Sequence, residues 1–249
     1  MSIQVDKVSR TFQGTLAVDE ISFEAKQGEI VGLLGTSGCG KSTILRAISG
    51  LDTEYDGTVC IHGKETRGTS RELGVIFQEP RLMPWLTVID NVCFGLTGTK
   101  EENREKAREI LRVVGLEDFE QHYPKQLSGG MAQRTAIARA LVTAPSTLLL
   151  DEPFSALDAF TKLQLQDMVL ELWESYKPTM VIVTHDIDEA LYLCDRIVIL
   201  KGQPGELHDN LEITQPKPRK KSDTKLAELK EYILESLDIS RTPKQRKEA

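Results

Sequence analysis

The stretch Gly35-Thr36-Ser37-Gly38-Cys39-Gly40-Lys41-Ser42-Thr43 leaves this chain few ways to fold. It fits the pattern G-x-x-x-x-G-K-[ST], a loop that cradles phosphate groups. Gly35, Gly38 and Gly40 lack a Cβ, so the backbone can turn tightly and come close to a ligand. Successive backbone N–H groups then face one concavity, which suits an anion. A helix should begin in this loop, adding its positive N-terminal end. Lys41 supplies a point charge for the β- and γ-phosphates, and the Ser42 hydroxyl is a hard oxygen ligand for Mg²⁺. Thr43 is placed to reach the α-phosphate. The flanks agree: Glu29 to Leu34 is an apolar run like a buried strand, and Ile44 to Ile48 reads as a helix stopping near Gly50.

Composition excludes several classes. The net charge of −7 gives no bulk reason to expect nucleic acid as a partner. Cys39, Cys60, Cys93 and Cys194 are scattered with no C-x-x-C pair, so neither zinc nor a disulfide framework is expected. No apolar run approaches the roughly 20 residues that span a bilayer. No basic-then-apolar leader opens the chain. A soluble, non-exported protein is expected, reaching a membrane only through a partner.

The remaining pattern alternates strands and helices. Ile3 to Val8, Ile21 to Lys26, Gly57 to His62 and Leu73 to Phe77 read as strands. Gln78 to Trp85 carries two prolines and reads as a loop. Thr87 is a good N-cap for Val88 to Gly95, and Lys100 to Val114 is helical with Gly115 as its stop. Residues 86 to about 145 thus read as a mostly helical insertion. Thr147 to Leu150, Thr179 to Thr184 and a last buried strand, Ile197 to Leu200, alternate with helices at Leu163 to Tyr176 and Ile187 to Cys194. That order implies a parallel sheet covered on both faces. Gln215 to Lys225 reads as a solvated basic linker, with headgroup or partner contact as the minor reading. Thr224 to Leu237 reads as an amphipathic helix and Ser240 to Ala249 as disordered.

Further chemistry falls at strand ends. Leu148-Leu149-Leu150-Asp151-Glu152 ends an apolar strand in two carboxylates, where an α/β sheet meets its ligand. Asp151 would hold Mg²⁺ through water, and Glu152 would polarise or align the attacking water. His185 follows another such strand and would donate beside the γ-phosphate. Gln78 follows a third and can touch Mg²⁺ or water without adding charge. Leu127-Ser128-Gly129-Gly130-Met131-Ala132-Gln133-Arg134 is a second small-residue loop opening a helix. One chain would struggle to bring both loops onto one phosphate; a two-fold head-to-tail pair does so twice.

These residues, in this order and spacing, resemble the ATP-binding cassette ATPases over roughly residues 1 to 210. The resemblance implies an α/β fold. Its core is a P-loop NTPase parallel sheet, with an N-terminal antiparallel β subdomain and a helical signature subdomain. It divides the chain into an ATPase domain at 1–214 and a linker and C-terminal helix or tail at 215–249. ATP and Mg²⁺ are the implied cofactors. Residues Gly35 to Thr43 would bind ATP, with Phe12 stacked on adenine or, alternatively, packed in the core. Lys41, Gln78, Glu152 and His185 would serve hydrolysis; Ser42, Gln78 and Asp151 would serve the metal. Leu127, Ser128, Gly129, Gly130 and Gln133 would complete the partner's ATP site, and Asp158, in Ser155-Ala156-Leu157-Asp158, would link the two sites.

Phe77 to Val88 and Gly130 to Arg134 also resemble the importer branch for nitrate, aliphatic sulfonates, taurine and bicarbonate. Gln203-Pro204-Gly205 departs from the Arg-Pro-Gly turn usual there. The expected assembly is a homodimer at the cytoplasmic face of the membrane, with a separate permease contacted through the loop 78–86 and a separate solute-binding protein. A cassette of another transporter class, or a soluble cassette protein, is the alternative; the solute itself is not legible.

Overall fold

Apolar residues alternate along the strands in two directions, and that decides the layering. In the computed structural model, which describes residues 1–220 and 223–237, β3 (Ile30–Gly35), β7 (Thr147–Asp151), β8 (Thr179–Thr184) and β9 (Arg196–Lys201) are almost wholly buried. They pair in parallel, as do β6 (Leu73–Ile76) and β7. The sheet order is β10-β9-β3-β8-β7-β6, with β10 (Glu206–Glu212) antiparallel at one edge. Leu148, Leu150, Met180, Ile182, Ile197 and Ile199 face one core. Leu149, Val181, Val183, Val198 and Leu200 face the other. Period-two alternation therefore feeds two hydrophobic layers from one sheet.

The second core is closed by α1 (Lys41–Ser49) and by an antiparallel sheet of order β2-β1-β4-β5. Its strands are β1 (Ile3–Phe12), β2 (Thr15–Ala25), β4 (Asp56–Ile61) and the short β5 (Lys64–Glu65). Gly50 ends α1 in the left-handed region, with its N–H on Ala47 O. The first core is closed by α2 (Val88–Cys93), α3 (Lys100–Val113) and α4 (Gly129–Leu141), all between β6 and β7, and by α5 (Ala159–Tyr176) and α6 (Ile187–Leu193). Thr87 caps α2 and Thr99 forms a capping box with Glu102 on α3, so these starts follow from local chemistry.

Three sequence expectations are corrected. The chain adds β10 after the strand expected to be last. Its residues, Glu-Leu-His-Asp-Asn-Leu-Glu, lie on an edge and carry only two apolar side chains, Leu207 and Leu211, too few to read as a buried strand. Helix α5 begins at Ala159 rather than Leu163, because Asp158 accepts hydrogen bonds from the N–H groups of Phe160 and Thr161. Residues 215–220 are not a solvated linker: Arg219 is 5% exposed, and Lys217 Nζ donates to Asp195 at 2.8 Å. Helix α7 (Thr224–Ser236) follows, burying Leu226 and Ile233 against the first core. The expected disordered tail, 240–249, lies outside the described residues.

Candidate functional site

Parallel pairing puts the strand ends level. Leu34 pairs with Thr184, Asp151 with Val183, and Ile76 with Leu150. Gly35, Glu152, His185 and Gln78 follow from that edge. A cleft of about 470 Å³ there is lined by Ala17, Gly38, Lys41, Ser42, Glu152 and His185, among others. The loop has the backbone its glycines allow: Gly38 and Gly40 both have φ of 85°. A Cβ on Gly40 would come within 2.1 Å of Val18 Cγ1, so no larger residue fits.

Lys41 is buried and folded onto its own loop, donating to Gly35 O at 2.8 Å and Thr36 O at 3.0 Å. The Ser42 hydroxyl donates to Asp151 Oδ1 at 3.0 Å, joining the loop to the end of β7. Burial pushes the Asp151 carboxyl above its ordinary value. The Ser42 hydrogen bond opposes that push, and Glu152 adds to it. Glu152 sits in the left-handed region at φ 46°, an uncommon place for a non-glycine residue and a frequent one at functional sites. Its N–H donates to Val183 O at 3.0 Å, which holds this turn against β8. Its carboxylate Oε2 lies 3.1 Å from His185 Nδ1, which ties the turn after β7 to the residue that follows β8.

Gln78 does not join the Ser42–Asp151 pair. Its amide donates to Ser155 Oγ at 3.0 Å, and that hydroxyl donates to Glu152 O at 3.0 Å. Ser155 thus ties Gln78 to Glu152, a role invisible in the motif that contains it. Gln133 also departs from expectation. It is 2% exposed, and its amide donates to Phe77 O at 3.2 Å, so it holds α4 to the end of β6 rather than facing outward to a partner. Ser128 caps α4, and Gly130 lets that helix approach α5: a Cβ there would lie 2.3 Å from Thr161 Cγ2. Phe12 is 39% exposed with Arg10 stacked on it at 4.2 Å, which rules out simple core packing. Asp158 is spent on the start of α5, where the Thr161 hydroxyl and backbone hold its carboxyl below the ordinary range.

The loop after Gln78 is held from behind. Arg139 donates to Pro80 O and Arg81 O, both at 2.9 Å. Fully buried Asn91 accepts from Met83 N at 2.8 Å and donates to the carbonyls of Met83 and Leu86. The ring of Trp85, braced on this loop, is 71% exposed and packs no core.

The family described as ABC transporter matches residues 18–155. The chain is 45% identical to an aliphatic sulfonates import ATP-binding protein of Bacillus cereus (strain ZK / E33L), over 96% of both chains. The chain belongs to the ABC transporter family. A protein of the same description from Bacillus subtilis (strain 168) is 45% identical, covering 89% of this cassette and 87% of the relative. Among solved structures, a dimeric ATP-binding cassette in a post-hydrolysis state, bound to ADP and Pi, superposes with a TM-score of 0.76. It is 34% identical and covers 86% of this cassette and 100% of that chain. This cassette is accordingly an ATP-binding, ATP-hydrolysing subunit. None of its helices among the described residues is long and apolar enough to cross a membrane.

The donor set fits a magnesium ion. Ser42 and Asp151 place a hydroxyl and one carboxylate side by side, and the described residues contain no cluster of three or more His, Cys, Asp or Glu that could hold a metal alone. Magnesium is satisfied by one or two protein oxygens plus water and substrate phosphates, not by an all-protein cage.

Proposed function

We propose that this cassette hydrolyses ATP to drive import of a small anion of the organosulfonate type, working as a head-to-tail homodimer on a separate permease. The observation that carries the hydrolytic half is the convergence of Lys41, Ser42, Asp151, Glu152 and His185 on one cleft. Residues Gly35 to Thr43 wrap the phosphates, and Lys41 transfers donors from Gly35 O and Thr36 O to the β- and γ-phosphates. Ser42, and Asp151 through water, would hold Mg²⁺, which would neutralise phosphate charge. Glu152 orients and polarises the attacking water, and His185, held beside it, stands next to the γ-phosphate. The exposed face of Phe12 opposite Arg10 takes the adenine.

Ser128, Gly129 and Gly130 lie at a second helix start and complete the partner's site, with Leu127 and Asp158 beside them. That a solved cassette it resembles is dimeric supports such a pairing. The solute class rests on the import proteins to which the chain is similar along nearly its whole length. A solute-binding protein and a permease contacted at 78–86 complete the assembly.

The experiment is hydrolysis by the complex reconstituted in vesicles with its permease and binding protein. Alkanesulfonate or taurine should raise turnover several-fold over basal. Stimulation by nitrate or bicarbonate alone would move the solute class; none by any small anion would remove the importer reading.

A further inference from the structure

The basic run after Ile213 was expected to face solvent, and instead Lys217 and Arg219 are bonded into the fold. The guanidinium of Arg219 donates to the carbonyls of Leu191, Cys194 and Gln215 at 2.9, 2.6 and 2.9 Å, and reaches Tyr192 O and Ile213 O at 3.4 Å. Leu191, Tyr192 and Cys194 are the C-terminal end of α6, whose last carbonyls have no partner within the helix. Lys230 on α7 donates to both carboxylate oxygens of Asp188, in the first turn of α6, at 2.7 Å each. The C-terminal segment therefore grips α6 at both ends, and α6 begins two residues after His185.

The same segment also grips the β9–β10 hairpin. Lys201 Nζ donates to Ser236 O at 2.9 Å, and Tyr232 OH donates to Asp209 Oδ2 at 2.6 Å. The turn of that hairpin, Gly202 to Gly205, lies against the phosphate loop. Gly205 exchanges backbone bonds with Ala17 and Asp19, and a Cβ on it would come within 2.0 Å of Cys39 O. A Cβ on Gly38 would lie 2.4 Å from Gln203 Nε2. One element thus touches the support of the phosphate loop and the support of His185.

We infer that residues 213–220 and 223–237 form a brace that fixes His185 relative to the phosphate loop, with Arg219 and Lys230 as positioning residues for hydrolysis. This rests on the reading of His185 as a γ-phosphate contact. Cutting either grip leaves the nucleotide-binding groups in place and lets α6 shift, so hydrolysis falls while ATP affinity holds. Small misplacements at a reacting centre are costly in rate.

The test uses the full chain in the reconstituted complex. ATP affinity is measured with a fluorescent analogue, hydrolysis is expressed per folded molecule, and melting is followed on the same samples. Arg219→Lys and Lys230→Met are expected to lower kcat about tenfold and about threefold, with ATP dissociation constants within twofold of the parent. Lys230→Arg should restore kcat, and Arg108→Met, which cuts the remote Arg108–Glu120 pair, should leave it unchanged. Lys230 is exposed, so its variant remains informative if Arg219→Lys folds poorly. Lowered melting with kcat within 1.5-fold of the parent for Lys230→Met overturns the brace. A loss of ATP affinity equal to the loss of rate overturns it as well. His185→Ala, run in parallel, separates the two readings. If it hydrolyses normally the γ-phosphate role of His185 is wrong; if it is impaired and the Lys230 variant is not, only the brace is wrong.

Discussion

His185 Nδ1 lies 3.1 Å from Glu152 Oε2, although the two residues end different strands and stand 33 positions apart in the chain. The contact exists because β7 and β8 are parallel and in register, Asp151 opposite Val183. It also needs the left-handed turn at Glu152, which swings the carboxylate off the strand line. A residue in that conformation costs roughly 1–3 kcal/mol and persists only where its surroundings hold it. Here the Val183 carbonyl and the Ser155 hydroxyl do so.

Glu152→Gln keeps an oxygen facing His185 but removes the negative charge. ATP binding should stay near normal while hydrolysis falls at least about a hundredfold, the scale of a lost general base. The protein should accumulate as an ATP-bound dimer. Turnover assays and sedimentation on one preparation check both; near-normal turnover would sink the assignment.

Lys41→Ala and Ser128→Arg should fail differently. The first removes a phosphate contact within the chain and should abolish ATP binding to the monomer. The second leaves that binding intact but blocks the partner's site. Because Ser128 also accepts from Met131 N at 3.3 Å, the loss of this cap should cost about 1 kcal/mol, or a few degrees of melting temperature. Mixing the two variants restores at most one working site per dimer. Loss of nucleotide binding by dilute Ser128→Arg monomer would refute the shared site.

Trp85 is exposed on a loop already held by Arg139 and Asn91. Trp85→Ala should therefore leave melting and basal hydrolysis unchanged. It should weaken assembly with the permease by roughly 2 kcal/mol or more, as for an aromatic anchor at an interface. Pull-down titration beside a melting curve decides between an interface and a mere surface residue.

Lys162 on α5 binds Asp186 at 2.7 Å and the buried carboxylate of Glu189 at 2.5 Å. Burial alone would raise the Asp186 carboxyl, but Lys162 and the first amides of α6 outweigh it and hold it below its ordinary value. Burial likewise works against Lys162, yet its two carboxylate partners hold it above its ordinary value. Lys162→Met should cost roughly 1–3 kcal/mol, because it strands buried charge. The sign follows from the shifts. A depressed carboxyl contributes above its unfolded value near ~3.9, and a raised lysine contributes below its unfolded value near ~10.4. The gap between parent and variant should thus hold across neutral pH. It should close as acid passes through the depressed Asp186 value. Urea melts at pH 7, 5 and 3 check this; a gap that widened in acid would contradict it.

Much of this molecule was legible in its chain order. The phosphate loop, the buried runs at Glu29 to Leu34 and Thr179 to Thr184, and the cap at Thr87 are local patterns. Each couples residue type to backbone geometry over a few positions, so no tertiary information is needed to read them. The carboxylate pair and His185 could be assigned to one edge because parallel strands align their ends.

Tertiary structure alone decided the rest. Gln133 and Gln78 each carry an amide that could serve any of several partners, and only packing sent one to Phe77 O and the other to Ser155. Edge strand β10 carries only Leu207 and Leu211 among polar residues, and it is held by backbone pairing to β9 and by Tyr232 of α7, neither of which marks its own side-chain pattern. Arg219 looked like any residue of a basic run. Its burial follows from unpaired carbonyls at the end of α6, more than twenty residues earlier. Local sequence specifies the phosphate-loop motif; which polar side chain satisfies which buried carbonyl is set by the three-dimensional meeting of distant segments.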